Sequence, residues 1–264
     1  MSVVTLGFSF VQADEFHAPS PADFWQPLIG SGQWAITRPM FVMTLVTILL
    51  GAWLILGTRN LKMVPGKGQF LTETVYNFVR NDIARDLIGG KHYAKYVPFL
   101  FSIFVFLLLS NLMGVTPFVM MPTTGTIAIP IGLTFLVYVV YHVAGLRQKG
   151  LAGYFKAMVP EGVPLVIAPI VLLLEIFSYF VTRPLTLALR LFGNMFAGHM
   201  ILTLFVVGGF FLVGQGGLLV AAGIGSFVMA FLMTFFEILI QVVQAYVFTL
   251  LAASYIGDGV SEGH

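Results

Sequence analysis

Arg183-Pro184-Leu185-Thr186-Leu187-Ala188-Leu189-Arg190-Leu191-Phe192-Gly193-Asn194-Met195-Phe196-Ala197-Gly198-His199 puts two arginines and a histidine inside a stretch that otherwise reads as membrane. No charge follows from Met200 to Phe236, and Glu237 ends that run. An arginine in hydrocarbon costs about 2.5–3.5 kcal/mol on insertion scales and roughly 10–17 kcal/mol in simulation. The sequence must therefore supply water, a counter-charge or a polar cavity near Arg190. An intramembrane ionisable group marks a functional site by default. The partner candidates in membrane-like sequence are Glu175, His199 and Glu237.

The rest of the composition agrees. Of 264 residues, 58% are apolar and 9% charged, against about 25% charged in ordinary soluble domains. Such a chain has too little polar surface to cover itself in water. An all-α integral membrane protein is expected. It has about five membrane-crossing helices, including two long tilted C-terminal helices that form a hairpin, plus one amphipathic interfacial helix. A net charge of +2 is too small to point to nucleic acid. With no cysteine, there is neither a disulfide framework nor a thiolate metal site. No metal or cofactor is expected. Met1 to Phe24 lacks a basic region ahead of its apolar residues and does not read as a cleaved secretory signal.

Three parts follow along the chain. Residues 1–38 form an N-terminal segment on the outer surface, where Pro19, Pro21 and Pro27 argue against a long helix and Phe16, Phe24, Trp25 and Trp34 suit a membrane interface. Residues 39–160 hold the peripheral transmembrane helices. Pro39 to Thr58 is twenty uncharged residues, the length a bilayer core requires. Residues 65–90 are too polar to span; Leu71, Val75, Phe78 and Val79 share one face, so an in-plane amphipathic helix is expected. Further crossings are read near 97–118 and 127–146, joined by a turn at 119–126, with a basic loop at 147–156. His142 lies close to that loop, where a plain interfacial role suffices.

Residues 161–264 form the helical hairpin. Gly162 to Val207 is too long for one straight crossing, so it breaks at Pro184 or tilts steeply. Gly208, Gly209, Gly214, Gln215, Gly216 and Gly217 are read as the next break, and Leu218 to Gly257 as the last long helix. The tail Asp258 to His264 is short and polar. Loops 59–95 and 147–156 hold ten of the thirteen lysines and arginines, so both belong on the cytoplasmic side. The N-terminus then lies outside and the C-terminus inside. No internal repeat is visible, which weighs against many secondary transporters.

If 185–207 and 218–250 are antiparallel neighbours, their polar residues fall in two layers. The step from Arg190 to His199 is about 13.5 Å and that from Glu237 to Gln244 about 10.5 Å at helical rise. His199 then sits with Glu237 nearer the outside, and Arg190 with Gln244 deeper. Glu237, Gln241 and Gln244 form one stripe, and Arg190 and Asn194 are also one turn apart. Gln241 serves equally as a helix-to-helix hydrogen bond. Arg183 can snorkel or pair with Glu175. Gly193 and Gly198 permit close helix packing. Histidine and glutamate can pass protons near neutral pH once burial shifts them, whereas arginine stays protonated. Arg190 therefore reads as an electrostatic gate between two proton-accessible regions. The carboxylate it would gate is not convincingly in this chain, which implies a partner subunit bearing a membrane-buried acid.

Leu187 through His199, together with Phe236-Glu237-Ile238-Leu239-Ile240 and Gln244-Ala245-Tyr246, resembles the signature of subunit a of the rotary F-type ATP synthase. The resemblance extends from about Phe16 to the C-terminus. It implies that Arg190 is the essential arginine facing the ring of c subunits. By the same resemblance, Glu237 and His199 line the half-channel open to the outside, and Asn194 and Gln244 are polar positions beside the arginine. Glu175 resembles the acid of the cytoplasmic half-channel, with one residue more between it and the arginine. The implied partners are the c-subunit ring, the peripheral-stalk b subunits, the rest of the ATP synthase, the lipid bilayer and protons. The implied place is a bacterial plasma membrane, or its mitochondrial or chloroplast equivalent. The chain lacks a glycine-rich phosphate loop with its lysine, so it is expected to translocate protons and leave ATP chemistry to other subunits. Two rival readings are a stand-alone secondary ion transporter or channel, and a non-conducting assembly subunit.

Overall fold

The computed structural model describes residues 27–29, 36–59, 62–90, 92–116, 123–159, 163–164 and 166–261. Most of the expected outer-surface segment 1–38, and part of the turn at 119–126, lie outside them. Within that segment, Pro27–Ile29 pairs antiparallel with Ile36–Thr37 as a small ribbon. It was not expected from the sequence. Every regular element described after it is helical.

Among the described residues, five helices are long and apolar enough to cross a membrane. The first, α1 (Arg38–Thr58), starts with Pro39 in its first turn, where a missing N–H costs nothing. Beyond Pro39, its described residues bury the stripe Val42, Val46 and Leu50. Those positions are one turn apart, so α1 is a peripheral helix with most of its surface left for lipid.

The segment expected as an in-plane helix runs as α2 (Lys67–Asn77), a π-helical stretch Phe78–Arg85 and a last turn Asp86–Ile88. It packs differently from expectation. Nothing in Lys67–Asn77 is buried, and Leu71 is exposed. The buried residues are Val79, Ile83, Ala84 and Ile88. Their spacing of four and five follows from the wider π turn, which closes i→i+5 bonds and shifts the phase of the apolar face. This face covers neighbouring helices rather than lipid. Phe78 meets Phe104 at 5.7 Å and Tyr246 at 5.8 Å between ring centroids.

Two crossings follow, α3 (Tyr93–Met113) and α4 (Ala128–Lys156). The sequence placed α4 at 127–146 and a loop at 147–156. The helix in fact continues through Arg147 to Lys149, where Gly150 leaves helical geometry with a positive φ of 68°, and a second helical piece runs on to Lys156. Hydropathy located only the part that needs hydrocarbon.

The hairpin is built from α5 (Ala168–Gln215) and α6 (Leu219–Val260). At about 1.5 Å per residue they measure roughly 72 and 63 Å, twice the hydrocarbon thickness, so both must incline steeply or emerge. Pro184 does not break α5. The helix widens into a π turn at Ser178–Thr182 just before it, which makes room for a ring that would otherwise strike the preceding turn. The break read at 208–217 is also narrower. Gly208, Gly209 and Gly214 stay helical, and only Gly216 and Gly217 turn the chain, with φ of 73° and 60°.

Those helical glycines are there for close approach. A Cβ on Gly209 would lie 2.9 Å from the Phe227 ring, and one on Gly223 2.6 Å from Val213 Cγ2 and 3.0 Å from the Gly209 carbonyl. Ser226 Oγ also donates to the Phe205 carbonyl at 2.6 Å, tying the same two helices. At the other end of α6, a Cβ on Gly257 would strike the Leu87 carbonyl. Gly257→Ala should therefore lower the stability of the detergent-purified protein by about 1–3 kcal/mol, seen as a lower thermal midpoint. Gly225→Ala, whose Cβ meets open space, should not lower it.

Candidate functional site

Helix α6 is turned inside out along one stretch. Glu237, Gln241, Gln244, Ala245 and Phe248 are buried, while Phe235, Phe236, Leu239, Val242 and Val243 are exposed. Polar groups thus face the protein and apolar ones face out, the arrangement required when polar side chains sit at membrane depth. Glu237 is 6% exposed, His199 8% and Gln241 0%. None of these could be so buried without a facing helix that leaves room. Helix α5 provides it at Gly198, whose Cβ position lies at ordinary contact distance, 3.5 Å, from Glu237 Oε1. His199, the next residue of α5, is buried as well, so one layer of the hairpin holds the histidine and the acid. The His199 carbonyl accepts from Thr203 Oγ1 at 2.8 Å.

The deeper layer differs from expectation. Asn194 Nδ2 donates to Gln244 Oε1 at 2.7 Å, so the glutamine is held by the asparagine rather than by Arg190. On α5 the buried stripe is Leu187, Ala188, Leu191 and Met195. Arg190 lies beside that stripe, one turn from Asn194, and is exposed. Among the described residues no carboxylate lies within ion-pair distance of its guanidinium. Glu175 is half-buried on the far side of the π turn.

Arg183 does not pair with Glu175. Its Nη1 lies 2.9 Å from Asp258 Oδ2, and the guanidinium stacks 3.7 Å from the Tyr179 ring centre and 4.9 Å from that of Tyr255. The sequence had left Asp258 to the tail, but α6 runs through it to Val260. His142 also lies inside a helix, packed among the rings of Tyr138, Tyr141, Tyr154 and Phe180.

A second polar group was missed entirely. Asn111, at the end of α3, is fully buried. Its Nδ2 donates to the Gln241 carbonyl at 3.4 Å, and its Oδ1 accepts from Thr124 Oγ1 at 2.9 Å. Gln241 Nε2 in turn reaches Glu237 Oε1 at 3.5 Å. Ser110 Oγ, Thr123 Oγ1, Gln241 Oε1 and Gln244 Nε2 are buried with no hydrogen-bond partner among the described residues. Buried polar atoms of this kind are met by ordered water. A polar strip therefore runs from the Thr123–Gly125 turn through Asn111 and Gln241 to Glu237. The one sequence signal for it was an asparagine closing an apolar run ahead of a threonine-rich turn.

The geometry provides a buried carboxyl group with no lysine or arginine in ion-pair reach among the described residues, a histidine next to its glycine contact, and hydrogen-bonding groups leading away. An uncompensated buried charge costs several kcal/mol, and the Gln241 amide that donates to Glu237 Oε1 meets part of that cost. The chemistry available is proton exchange. No group of three or more histidines or carboxylates is placed to hold a metal among the described residues.

Comparison with known proteins is specific. The family model described as "ATP synthase A chain" matches residues 40–257. A protein named ATP synthase subunit a from Nocardioides sp. is 40% identical, covering 96% of both chains. One of that name from Pseudarthrobacter chlorophenolicus is 39% identical over 96% of this chain and 97% of its own. A third, from Rhodococcus erythropolis, is 36% identical over 96% and 93%.

Asn111→Leu should expose the cost of the polar strip. It strands the Thr124 hydroxyl and weakens the hold on Gln241, a penalty of about 1–3 kcal/mol. The thermal midpoint of the purified protein should fall, and Asn111→Gln, which keeps the amide, should recover part of the loss.

Proposed function

The chain belongs to the ATP synthase A chain family, and we propose that it is the stator subunit of the proton channel in the membrane sector of an F-type ATP synthase. It is not itself the catalyst. It carries protons to and from carboxylates on a rotating ring of c subunits and so couples proton flow to rotation. The peripheral-stalk b subunits hold it still. Residues 161–264 form the pathway hairpin that faces the ring, and 39–160 form the peripheral helices. The chain sits in a bacterial plasma membrane with its basic loops cytoplasmic, its N-terminus outside and its C-terminus inside.

A proton enters from outside along the strip at Thr123, Asn111 and Gln241 and reaches Glu237 and His199. From there it neutralises a ring carboxylate, which can then face lipid. After nearly a full turn that carboxyl meets Arg190. The guanidinium stabilises the ionised form, and the proton leaves toward Glu175. Arg190 cannot accept the proton, so it separates the two half-channels instead of joining them. Asn194 and Gln244 hold the wall beside it, with Gln241 linking Gln244's helix face to Glu237. The membrane field supplies about 2.3 kcal/mol per charge per 100 mV, so several protons must pass for each ATP.

One observation carries this reading. A permanent cation stands exposed on the hairpin, with no acid of its own chain in reach among the described residues, one turn from a polar layer leading to a buried glutamate. A stand-alone transporter would need its counter-charge inside. The test is ATP-driven proton uptake in inverted membrane vesicles. Arg190→Ala should abolish coupled pumping while the complex remains in the membrane; normal pumping would overturn the reading. Glu237→Gln should slow uptake by about tenfold or more, the worth of one lost buried charged group at 1.4 kcal/mol per decade. An unchanged rate would remove Glu237 from the pathway.

A further inference from the structure

We propose that Arg183 and Asp258 form a positioning clamp that sets the angle at which α5 presents Arg190. The inference rests on the proton-channel reading above and adds a residue pair to it. Between Glu175 and Arg190 the helix passes through the π turn Ser178–Thr182. A π turn holds about one residue more than an α turn, and each residue is worth about 100° of rotation. The segment that carries Arg190 is therefore out of phase with the segment that carries Glu175, and something must fix the offset.

Backbone hydrogen bonding cannot fix it alone. Pro184 has no N–H, and the wide turn loosens the carbonyls before it. Neighbouring helices take over. The Tyr141 hydroxyl of α4 donates to the Tyr179 carbonyl at 2.7 Å, inside the π turn. Arg183 is the first residue after that turn. Its guanidinium is held between the Tyr179 and Tyr255 rings and bonded to Asp258 at 2.9 Å. The Asp258 carbonyl accepts from Lys149 Nζ at 3.1 Å. Side chains from α5 and α6 thus meet on one planar cation, which is rigid in a way an ammonium is not, while α4 bonds the backbone carbonyls of two of them, Tyr179 and Asp258. Arg190 follows seven residues later, two turns along and at nearly the same angle. Whatever rotation the clamp imposes on Arg183, Arg190 inherits.

The test uses inverted vesicles containing the complete synthase. Two quantities are read: protons moved per ATP hydrolysed, and passive proton leak once the catalytic sector is stripped. Arg183→Gln and Asp258→Asn should each lower the first severalfold and raise the second, because a mis-aimed Arg190 no longer separates the half-channels. The exchanged pair, Arg183→Asp with Asp258→Arg, should restore much of both. Normal coupling and leak in the two single variants would overturn the clamp, and so would failure of the exchanged pair to recover either quantity. If the single variants are lost from the membrane, Arg183→Lys decides. It keeps the charge without the planar stack, so it should assemble yet leak, and wild-type coupling would overturn the proposal. Arg190→Ala is measured alongside. Lost coupling there with normal Asp258→Asn sinks the clamp alone, whereas normal coupling in Arg190→Ala sinks the channel reading beneath it.

Discussion

A guanidinium does not shed its proton at any pH a cell reaches. At membrane depth Arg190 can be tolerated only if its charge is met from outside its own helix. Two solutions exist in principle. The chain could fold an acid against it, or it could leave the arginine on a surface where something else supplies the acid. On the proposed reading the hairpin takes the second course. Leu187, Leu191 and Met195 are turned inward and Arg190 is not. The one acid of α6 at membrane depth, Glu237, is kept in the layer above, against Gly198 and beside His199. In the proposed function, this separation of cation from carboxylate along the hairpin leaves the site to be completed by a partner.

Holding that separation requires two long helices to stay in register, and register here depends on close backbone approach. Gly209 and Gly223 let the helices touch near the turn; Gly257 lets the end of α6 rest on the Leu87 carbonyl. In hydrocarbon there is no hydrophobic drive between helices, so such fitted contacts and buried hydrogen bonds carry the association. The Asn194–Gln244 and Ser226–Phe205 bonds are of that kind. At the other end, the two π-helical segments at 78–85 and 178–182 re-aim a helix face without ending the helix. Both let apolar residues meet neighbours that ideal α-helical spacing would miss.

Much of this was legible in the sequence because the membrane restricts the choices. Length and hydropathy place the crossings, since only helices of about twenty apolar residues satisfy their backbones in lipid. The stripe Glu237, Gln241 and Gln244 followed from helical spacing alone, as did the level shared by His199 and Glu237. What stayed hidden depends on contacts between distant residues. Nothing local tells Asn111 that Gln241 lies across from it, or Arg183 that Asp258 is a helical neighbour. Asp258 read as tail because a charge after an apolar run looks like an exit. Gly208 and Gly209 read as a loop because composition cannot distinguish a turn from a tight helix contact. Whether the stretch broke at Pro184 or tilted stayed open, because a one-residue widening leaves no mark in the sequence.

The central claim is that Arg190 faces acids borne by another, moving subunit. Electron cryomicroscopy of the whole membrane sector assembled around this chain tests it most directly. The account predicts a c-subunit carboxyl within ion-pair reach of the Arg190 guanidinium, with solvent-filled passages ending on opposite sides of it, one at Glu237 and one at Glu175. Lipid or a stationary helix without an acid covering Arg190, or a single passage running straight past it, would contradict the account.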